Sequence, residues 1–258
     1  MRISLIGAGR VASHLAKILV QQHELVQIYS RGFEKASLLA AETQCQAIAH
    51  LKQLDTSVDL IIMAVSDQSI AILIEELHVY APDTLIVHTS GSTDLKVLTA
   101  VHEAAGVLYP LQTFSLTRDI DWQHTPIFVE ASNQRHQELL VKLAQGITSR
   151  IYTYSSAQRL SLHLAAVFAC NFSNYCYDMA KQILDAQQVD FNLLSPLICE
   201  TADKACANEP MQMQTGPAMR ADHVILDMHQ NMLMQAQRED LAAVYNLLSQ
   251  QILVRHHP

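Results

Sequence analysis

The sequence predicts an α/β protein: a mostly parallel sheet with helices, followed by a second, all-α domain. From residue 2 to about residue 154, apolar runs of strand length alternate with longer helical patterns, as in consecutive strand–helix units. After residue 155 the strand-length runs stop and only helical periodicity remains. We therefore expect two domains, residues 1–154 and residues 155–258.

Composition and charge exclude several classes of protein. Half of the residues are hydrophobic and 16% are charged, which excludes a disordered chain. The net charge of -8 argues against a nucleic-acid partner, because phosphate binding needs a basic surface. The longest apolar runs are too short to span a bilayer, and the first residues show no signal-peptide pattern. The five cysteines are scattered, so we expect a reduced, cytoplasmic protein without a membrane partner.

A turn with two glycines joins the first predicted strand, residues 2–6, to the first helix. It has the G-x-G-x-x-A form of the dinucleotide-binding fingerprint and reads Gly7-Ala8-Gly9-Arg10-Val11-Ala12. The first glycine suits the tight turn, and the second lets the backbone approach a pyrophosphate at the start of the helix. We expect residues 7–11 to bind a dinucleotide in a Rossmann-type domain. The alternative is a glycine turn without a ligand.

The end of the second strand, residues 25–29, predicts which dinucleotide binds. Ser30 and Arg31 follow it, with Lys35 one helical turn later. A carboxylate here would bind the ribose 2′-hydroxyl of NAD, whereas serine and arginine suit the 2′-phosphate of NADP. We therefore predict NADP as the cofactor, held in part by these three residues. Alternatively, Ser30 and Arg31 only cap the next helix, residues 34–42.

The remaining strands of the first half end in polar segments. Strands are expected at residues 46–48, 59–65, 84–88, 106–109, 126–130 and 150–154, and helices at 70–77 and 134–145. Ligands of open α/β sheets lie beyond the carboxyl ends of the strands. We therefore expect the cofactor site to include Val65, Ser66, Asp67, His88, Thr89 and Ser90. The alternative for His88 is a strand-terminal side chain exposed to water.

The second half predicts helices only. Residues 157–186 contain no glycine or proline, which predicts one long central helix. Its apolar stripe consists of Leu160, Leu164, Val167, Phe168, Phe172, Tyr175, Met179 and Ile183. Further helices are expected at residues 191–206, 222–234 and 238–254.

Five motifs carry a resemblance that spans nearly the whole chain. They are the glycine turn, His88-Thr89-Ser90-Gly91, Tyr109-Pro110-Leu111-Gln112-Thr113-Phe114, residues 163–171 and residues 215–222. The chain resembles the Rossmann-like oxidoreductases of the 6-phosphogluconate-dehydrogenase-like superfamily, nearest to a group with a helical C-terminal domain of unknown function. Pyrroline-5-carboxylate reductase and the deazaflavin-linked NADP reductases are relatives by fold. The resemblance implies an NADP-binding domain and a homodimer through the helical domain. Where the group often shows R-G-D, this chain has Arg220-Ala221-Asp222.

His163 and Asn171 are the candidate catalytic residues. On an ideal helix they lie about 80° apart on one face, and the corresponding helix of related hydroxyacid dehydrogenases presents a Lys and an Asn to the substrate. His163 could donate a proton to a carbonyl or imine, and Asn171 could hydrogen-bond the substrate. Gln112 and Arg220 are candidate substrate-binding residues, Arg220 as a clamp for a carboxylate. Alternatively, His163 and Asn171 satisfy buried backbone groups, and Arg220 only fixes the start of the next helix.

Two further patterns have simpler explanations than a binding site. Asp222, His223, Asp227 and His229 lie at helical spacings that can ligate a metal, but chance clustering is the better explanation and we expect no metal. The methionines at residues 211, 213, 219, 228, 232 and 234 are expected to form a dimer seam.

Together these observations predict an NADP-dependent oxidoreductase that reduces a small carbonyl or imine substrate in the cleft between the domains. The alternative is a non-catalytic NADP-binding redox sensor or regulatory protein, because the expected lysine is missing. Hydride exchange with a deazaflavin or flavin is a third hypothesis.

Overall fold

A computed structural model describes residues 1–257. It contains one sheet of eight strands in the order β3-β2-β1-β4-β5-β6-β7-β8. The strands are β1 (Arg2–Ile6), β2 (Glu24–Tyr29), β3 (Gln46–Ile48), β4 (Leu60–Met63), β5 (Leu85–His88), β6 (Ala105–Pro110), β7 (Ile127–Ala131) and β8 (Ile151–Thr153). Every pair of neighbours is parallel except β6 and β7, which run antiparallel. The predicted mostly parallel α/β sheet is confirmed.

The α-helices are α1 (Arg10–Leu19), α2 (Phe33–Thr43), α3 (Asp67–Tyr80), α4 (Lys96–Thr99), α5 (Gln134–Gln145), α6 (Ser156–Ala166), α7 (Ser173–Asp185), α8 (Ser195–Ala207), α9 (His223–Gln235) and α10 (Glu239–His256). Short 3₁₀ segments lie at Leu51–Gln53, Phe191–Leu194 and Pro210–Met213, and a π-helix lies at Val167–Phe172. No described helix is long and apolar enough to cross a membrane.

The sheet is buried on both faces, as its continuous apolar strands predict. In β4, Leu60 and Ile62 pack into one core cluster, and Ile61 and Met63 into the other. Residues of α1, α2 and α5 fill the first cluster, whereas residues of α3 and α4 fill the second. The two layers of helices hold the carboxyl ends of β1, β4 and β5 at one edge of the sheet.

The chain forms two compact units, residues 1–171 and residues 172–258. Strands end at Thr153, where the sequence pattern changes, but the first unit also includes α6. A buried ion pair between Arg159 of α6 and Glu130 of β7 joins this helix to the sheet. The unit boundary therefore lies 17 residues beyond the predicted domain boundary at residue 154.

The predicted uninterrupted helix 157–186 is wrong, because the π-helix Val167–Phe172 separates α6 from α7. A π-turn has i→i+5 hydrogen bonds and rotates the following residues around the helix axis. The predicted helix 191–206 is likewise divided, and α8 begins at Ser195 with Pro196 in its first turn. Proline fits there because the first-turn amides have no partner within the helix.

Few apolar side chains are buried in the second unit. Among its described residues, the buried hydrophobic ones are Met179, Ala218, Leu226, Leu241 and Ala242. Large apolar side chains are exposed on α8, α9 and α10, including Leu197, Val224 and Val254. Much of the predicted apolar stripe is exposed as well, from Leu160 in α6 to Ile183 in α7, with Met179 as its buried member.

Candidate functional site

Gly7 closes the turn between β1 and α1. Its backbone amide donates a hydrogen bond to the carbonyl oxygen of Tyr29 over 2.7 Å. Its φ angle is +124°, and a Cβ atom at this position would lie 2.2 Å from the carbonyl oxygen of Ala64. Only glycine fits, because any side chain would push β1 away from β4.

Gly9 caps the N-terminus of α1 with extended backbone and no side-chain hydrogen bond. A Cβ atom added there would meet nothing within 4 Å, so this glycine faces open space. The first turn of α1 contains no acidic residue. Unpaired amides and the helix dipole make such a terminus a site for a phosphate group. The backbone around Gly9 therefore fits the pyrophosphate of a dinucleotide.

A pocket of about 710 Å³ extends from this turn along the carboxyl edge of the sheet, entirely within the first unit. Most of the predicted site residues line it. They are Gly7, Ala8, Gly9, Arg10, Val11, Ser30, Arg31, Val65, Ser66, Asp67, Thr89, Ser90, Gln112 and His163. Lys35, His88, Asn171 and Arg220 do not line this pocket. Its volume is typical of small-molecule and cofactor sites.

Four charged side chains belong to the pocket lining. Three follow β1, β2 and β4, and the fourth, Glu76, lies within α3. Arg31 follows β2, is exposed, and forms no ion pair with any residue of the described chain. Lys35 is also exposed, but on α2 and outside the pocket lining. Asp67, at the start of α3, accepts a short hydrogen bond from the hydroxyl group of Ser92. The guanidinium of Arg31 is thus free to bind an anion.

Tyr109 and His163 line the pocket together. The hydroxyl oxygen of Tyr109 lies 3.2 Å from Nδ1 of His163. Their ring centroids are 6.2 Å apart and the rings meet edge to face at 74°. Tyr109 is 9% exposed, and burial raises the pKa of its phenol. Tyr109 comes from the end of β6 and His163 from α6, so tertiary structure alone brings them together.

Gly91 allows this contact. A Cβ atom on Gly91 would lie 2.7 Å from Nδ1 of His163 and 2.8 Å from Cζ of Tyr109. Both distances are too short for a carbon atom. A side chain at residue 91 would force the two rings apart.

Arg159 and Glu130 fix the helix that carries His163. The guanidinium of Arg159 pairs with Glu130 and also donates to the carbonyl oxygen of Thr93. Glu130 accepts hydrogen bonds from the amide and hydroxyl groups of Ser156 at 3.0 and 2.8 Å. The first turn of α6 is therefore joined to β7 and to the loop after β5, one turn before His163.

His88 is fully buried, so the alternative of a water-exposed side chain is wrong. Its Nδ1 atom accepts a hydrogen bond from the amide of Ser90 over 3.1 Å, and its Nε2 atom has no partner. Burial, together with the positive charge of Arg159, lowers the pKa of His88 to about 3. His88 thus supports the loop that contributes Thr89 and Ser90 to the pocket, while its own side chain stays outside the lining.

Asn171 does not share the pocket with His163. It lies in the π-helix, is exposed and does not line the pocket. A role for Asn171 beside His163 therefore stays a prediction.

Arg220 and its neighbours lie in the second unit. Arg220 is exposed, and Oδ1 of Asp222 accepts a hydrogen bond from the amide of Ile225, which confirms Asp222 as the N-cap of α9. Ala221 has a φ angle of +54°, in the left-handed region that favours glycine. This is the position at which the resembling group often has glycine.

No group of three or more His, Cys, Asp or Glu residues within residues 1–257 could hold a metal ion. In particular, His229 instead hydrogen-bonds the hydroxyl group of Tyr245 over 3.0 Å.

The sequence analysis did not identify Tyr109 and Gly91 as functional residues. Both belong to motifs that carried the resemblance. Tyr109 ends a predicted strand, and Gly91 comes three residues after the end of another. Their position at the carboxyl edge of the sheet was a usable signal, but their contact with His163 was not visible in the sequence.

Comparisons with known proteins show the family to which the chain belongs. Residues 2–91 match the family described as "NADP oxidoreductase coenzyme F420-dependent", and residues 125–252 match a domain of unknown function, DUF2520. A Bacteroides fragilis protein, provisionally named an NADP oxidoreductase, is 38% identical over 98% of this chain and 97% of its own, with a TM-score of 0.91. No curated protein matches the chain.

Two more distant structures share the fold. The reductive aminase of Aspergillus terreus, solved with NADPH and ethyl-5-oxohexanoate, is 14% identical over 97% of this chain and 94% of its own, with a TM-score of 0.68. The pyrroline-5-carboxylate reductase of Coxiella burnetii is 16% identical over 97% of each chain, with a TM-score of 0.55. The chain belongs to the family of NADP oxidoreductases that combine a Rossmann-like N-terminal domain with a DUF2520 C-terminal domain.

Proposed function

From membership in this family of NADP oxidoreductases, we propose that the chain uses NADPH to reduce a small carbonyl or imine compound. The observation that carries the proposal is a single pocket with a phosphate-binding helix terminus and the Tyr109–His163 pair in its lining. One part fits a dinucleotide, and the other offers groups that can give a proton. Structurally similar proteins include a reductive aminase bound to NADPH and a keto ester.

The nucleotide is held at the glycine turn. Residues 7–11 bind the pyrophosphate through backbone amides, and Ser30 and Arg31 bind the 2′-phosphate. The free guanidinium of Arg31 is the supporting observation. Lys35, which the sequence also predicted to bind the cofactor, does not line the pocket.

The nicotinamide half of the cofactor lies along the ends of β4 and β5. Val65, Ser66, Asp67, Thr89 and Ser90 line this part of the pocket. The role that we predicted for His88 becomes indirect, because its hydrogen bond to the amide of Ser90 holds the loop in place.

NADPH supplies a hydride, and His163 is the source of the proton that completes the reduction. His163 is half-buried, so one side of its ring contacts Tyr109 and the ring keeps access to solvent. Gln112 lines the same pocket and can hydrogen-bond the substrate. Substrate binding by Asn171 and Arg220, and entry of the substrate between the two domains, stay predictions.

Hydride exchange with a deazaflavin stays a prediction, because the family that residues 2–91 match is described as dependent on coenzyme F420, a deazaflavin. The matching family model ends at residue 91, so it covers the nucleotide-binding strands and neither Tyr109 nor His163. A small carbonyl or imine therefore remains the substrate class that we propose.

The second unit mediates homodimer formation. Five buried apolar residues are few for 86 described positions, and exposed large apolar side chains on α8, α9 and α10 would be costly to leave in water. Exposed Met228, Met232 and Met234 belong to the predicted seam. Light scattering is expected to give twice the chain mass, and a monomer at micromolar concentration would contradict this.

Thermal melting with NADPH and with NADH tests the cofactor. At a hundred times the dissociation constant, a ligand stabilises the native state by about 2.7 kcal/mol. We expect NADPH to raise the melting temperature strongly and NADH to raise it only slightly. Arg31→Ala should abolish this difference between the two nucleotides, whereas Lys35→Ala should keep it. Absence of any shift with either nucleotide would overturn the proposal.

Two glycine substitutions test the pyrophosphate cradle. Gly9→Ala places a methyl group in the open space beside α1, and Gly32→Ala does the same at the start of α2, where a Cβ atom also meets nothing within 4 Å. Both variants should melt like the wild type without ligand. Only Gly9→Ala should lose the NADPH shift, because only that methyl group would meet the pyrophosphate.

A panel of ketones, aldehydes and imines then tests catalysis. Oxidation of NADPH with at least one class supports an enzyme, and His163→Gln should slow it. Tight NADPH binding, no turnover and a nucleotide-dependent change of oligomer would instead favour the redox sensor.

A further inference from the structure

Resting on the proposed function, we infer that Tyr109 donates the proton directly to the substrate. His163 then returns a proton to Tyr109 and takes its own from water. The inference concerns the order of two proton transfers, and it makes Tyr109 a catalytic residue that donates directly to the reacting atom.

The hydrogen bond between the two side chains allows two arrangements. The distance of 3.2 Å joins one oxygen and one nitrogen, so either O–H donates to Nδ1 or Nδ1–H donates to the oxygen. It is the only hydrogen bond that either side chain makes within the described chain. If Nδ1–H donates, the phenol hydrogen is left without a protein acceptor and is directed into the pocket.

Proton donation from Tyr109 to the substrate requires the second arrangement. A carbonyl oxygen or imine nitrogen is an acceptor only, so the group that faces it must present a hydrogen. Tyr109 is buried and stays a neutral phenol through the physiological pH range, so it always carries that hydrogen. An imidazole that has already lost its acidic proton is a far weaker acid than a phenol. The phenol is therefore the better donor above neutral pH.

The transfer balances in two steps. Reduction leaves the electron pair of the C=O or C=N bond on oxygen or nitrogen, and this atom forms a bond to the phenol hydrogen as the O–H bond of Tyr109 breaks. The phenolate accepts a hydrogen bond from Nδ1–H of His163 and then takes this proton, while Nε2 takes one from water. The substrate gains one hydride and one proton, and the water that protonates Nε2 is left as hydroxide. Tyr109 is a phenol again, whereas His163 is left with its proton on Nε2 and regains the Nδ1–H tautomer by proton exchange with water.

The fold holds the pair in this arrangement from three sides. Tyr109 ends a strand in the interior of the sheet, and the ion pair of Arg159 fixes the helix of His163. Gly91 has no side chain, and this leaves room for both rings.

The protonation of His163 tests the inference without any substrate. In protein labelled with ¹⁵N-histidine at pH 8, long-range ¹H–¹⁵N spectra distinguish the two tautomers, and His163→Gln assigns the signals. With NADPH bound, we expect the proton on Nδ1. A proton on Nε2 with a bare Nδ1 would overturn the inference, because Tyr109 would then be donating to His163.

Kinetics give a second measurement, with ethyl-5-oxohexanoate as the probe ketone. General acid catalysis typically contributes about 10²- to 10⁴-fold, so Tyr109→Phe should lower kcat by that factor and leave the NADPH melting shift unchanged. His163→Gln should lower kcat less, because Tyr109 keeps its proton. Tyr245→Phe is the matched control, since Tyr245 makes the same kind of hydrogen bond to His229, over 3.0 Å, and lies outside the pocket lining.

The outcomes separate the two proposals. A wild type that does not bind NADPH overturns the proposed function. A wild type that binds NADPH, with kcat falling 100-fold in His163→Gln and less than 10-fold in Tyr109→Phe, overturns the inference alone. If the wild type does not reduce the probe ketone, the tautomer of His163 with NADPH bound decides whether the inference holds.

Discussion

Arg159 of α6 and Glu130 of β7 form an ion pair in which the arginine side chain is 1% exposed. The same guanidinium hydrogen-bonds Ser156 over 3.1 Å and the carbonyl oxygen of Thr93. One buried charge therefore joins a helix, a strand and a loop. His163 lies one helical turn beyond it, so this cluster positions an imidazole of the pocket lining.

Removing the carboxylate of Glu130 should lower the free energy of unfolding. Glu130→Ala leaves a buried guanidinium without its counter-charge, and breaking a buried pair in this way typically costs about 3 to 5 kcal/mol. We expect that loss in urea unfolding. Asp185→Ala, which breaks the exposed pair with Lys181, should cost less than about 1 kcal/mol. Equal effects of the two substitutions would show that Arg159 finds another partner.

Gly91→Ala should separate Tyr109 from His163. The new methyl group overlaps both rings, and overpacking of this kind typically costs about 1 to 3 kcal/mol. We expect a lower melting temperature and slower turnover, with NADPH affinity largely kept. Unchanged turnover in a folded Gly91→Ala protein would contradict the need for close contact.

His88 should make stability depend on pH. Its pKa in the folded protein, about 3, lies below the value near 6.5 of an unfolded histidine, so the unfolded state binds the extra proton first. The contribution of His88 to the free energy of unfolding is fully present above about pH 6.5. It decreases by about 1.4 kcal/mol per pH unit as the pH falls towards 3.

The variant His88→Asn isolates this contribution. Asparagine places an acceptor where Nδ1 now accepts from the amide of Ser90 and has no proton to gain in this range. Urea unfolding at pH 7, 6 and 5 should show a smaller loss of stability in the variant. Parallel curves for the two proteins would contradict the burial of a neutral His88.

Ala221→Gly should stabilise the second unit. Ala221 has a positive φ angle that strains any residue with a Cβ atom, and glycine removes this strain. We expect a gain of about 0.5 to 1 kcal/mol in the free energy of unfolding. Ala243→Gly, within helix α10, is the matched control and should lose about 1 kcal/mol. A loss of stability in both variants would contradict the presence of backbone strain at Ala221.

Local patterns in the sequence were enough to predict much of the fold. Helix α5 begins and ends at the predicted residues, Gln134 and Gln145, because its apolar positions repeat with helical period between polar flanks. The predicted glycine turn lines the pocket, since Gly7 and Gly9 act through backbone conformation. Asp222 caps α9 as expected, because capping involves only neighbouring residues.

Predictions that assumed regular geometry over longer distances were less accurate. Asn171 does not line the pocket, and nothing in the residue types of 167–172 signals the π-turn in which it lies. His88 was expected at a cofactor or in water, and neighbouring elements bury it instead. Lys35 follows Arg31 closely in the chain, yet it lies outside the pocket lining.

The sequence by itself determined the strand–helix units, the glycine turn, the polar strand ends and the helical second half, because each depends on residues a few positions apart. Only the tertiary structure decided that Tyr109 meets His163 beside Gly91, and that Arg159 is buried against Glu130. These residues lie on separate elements. Their contacts depend on how strands and helices pack, which no local pattern encodes.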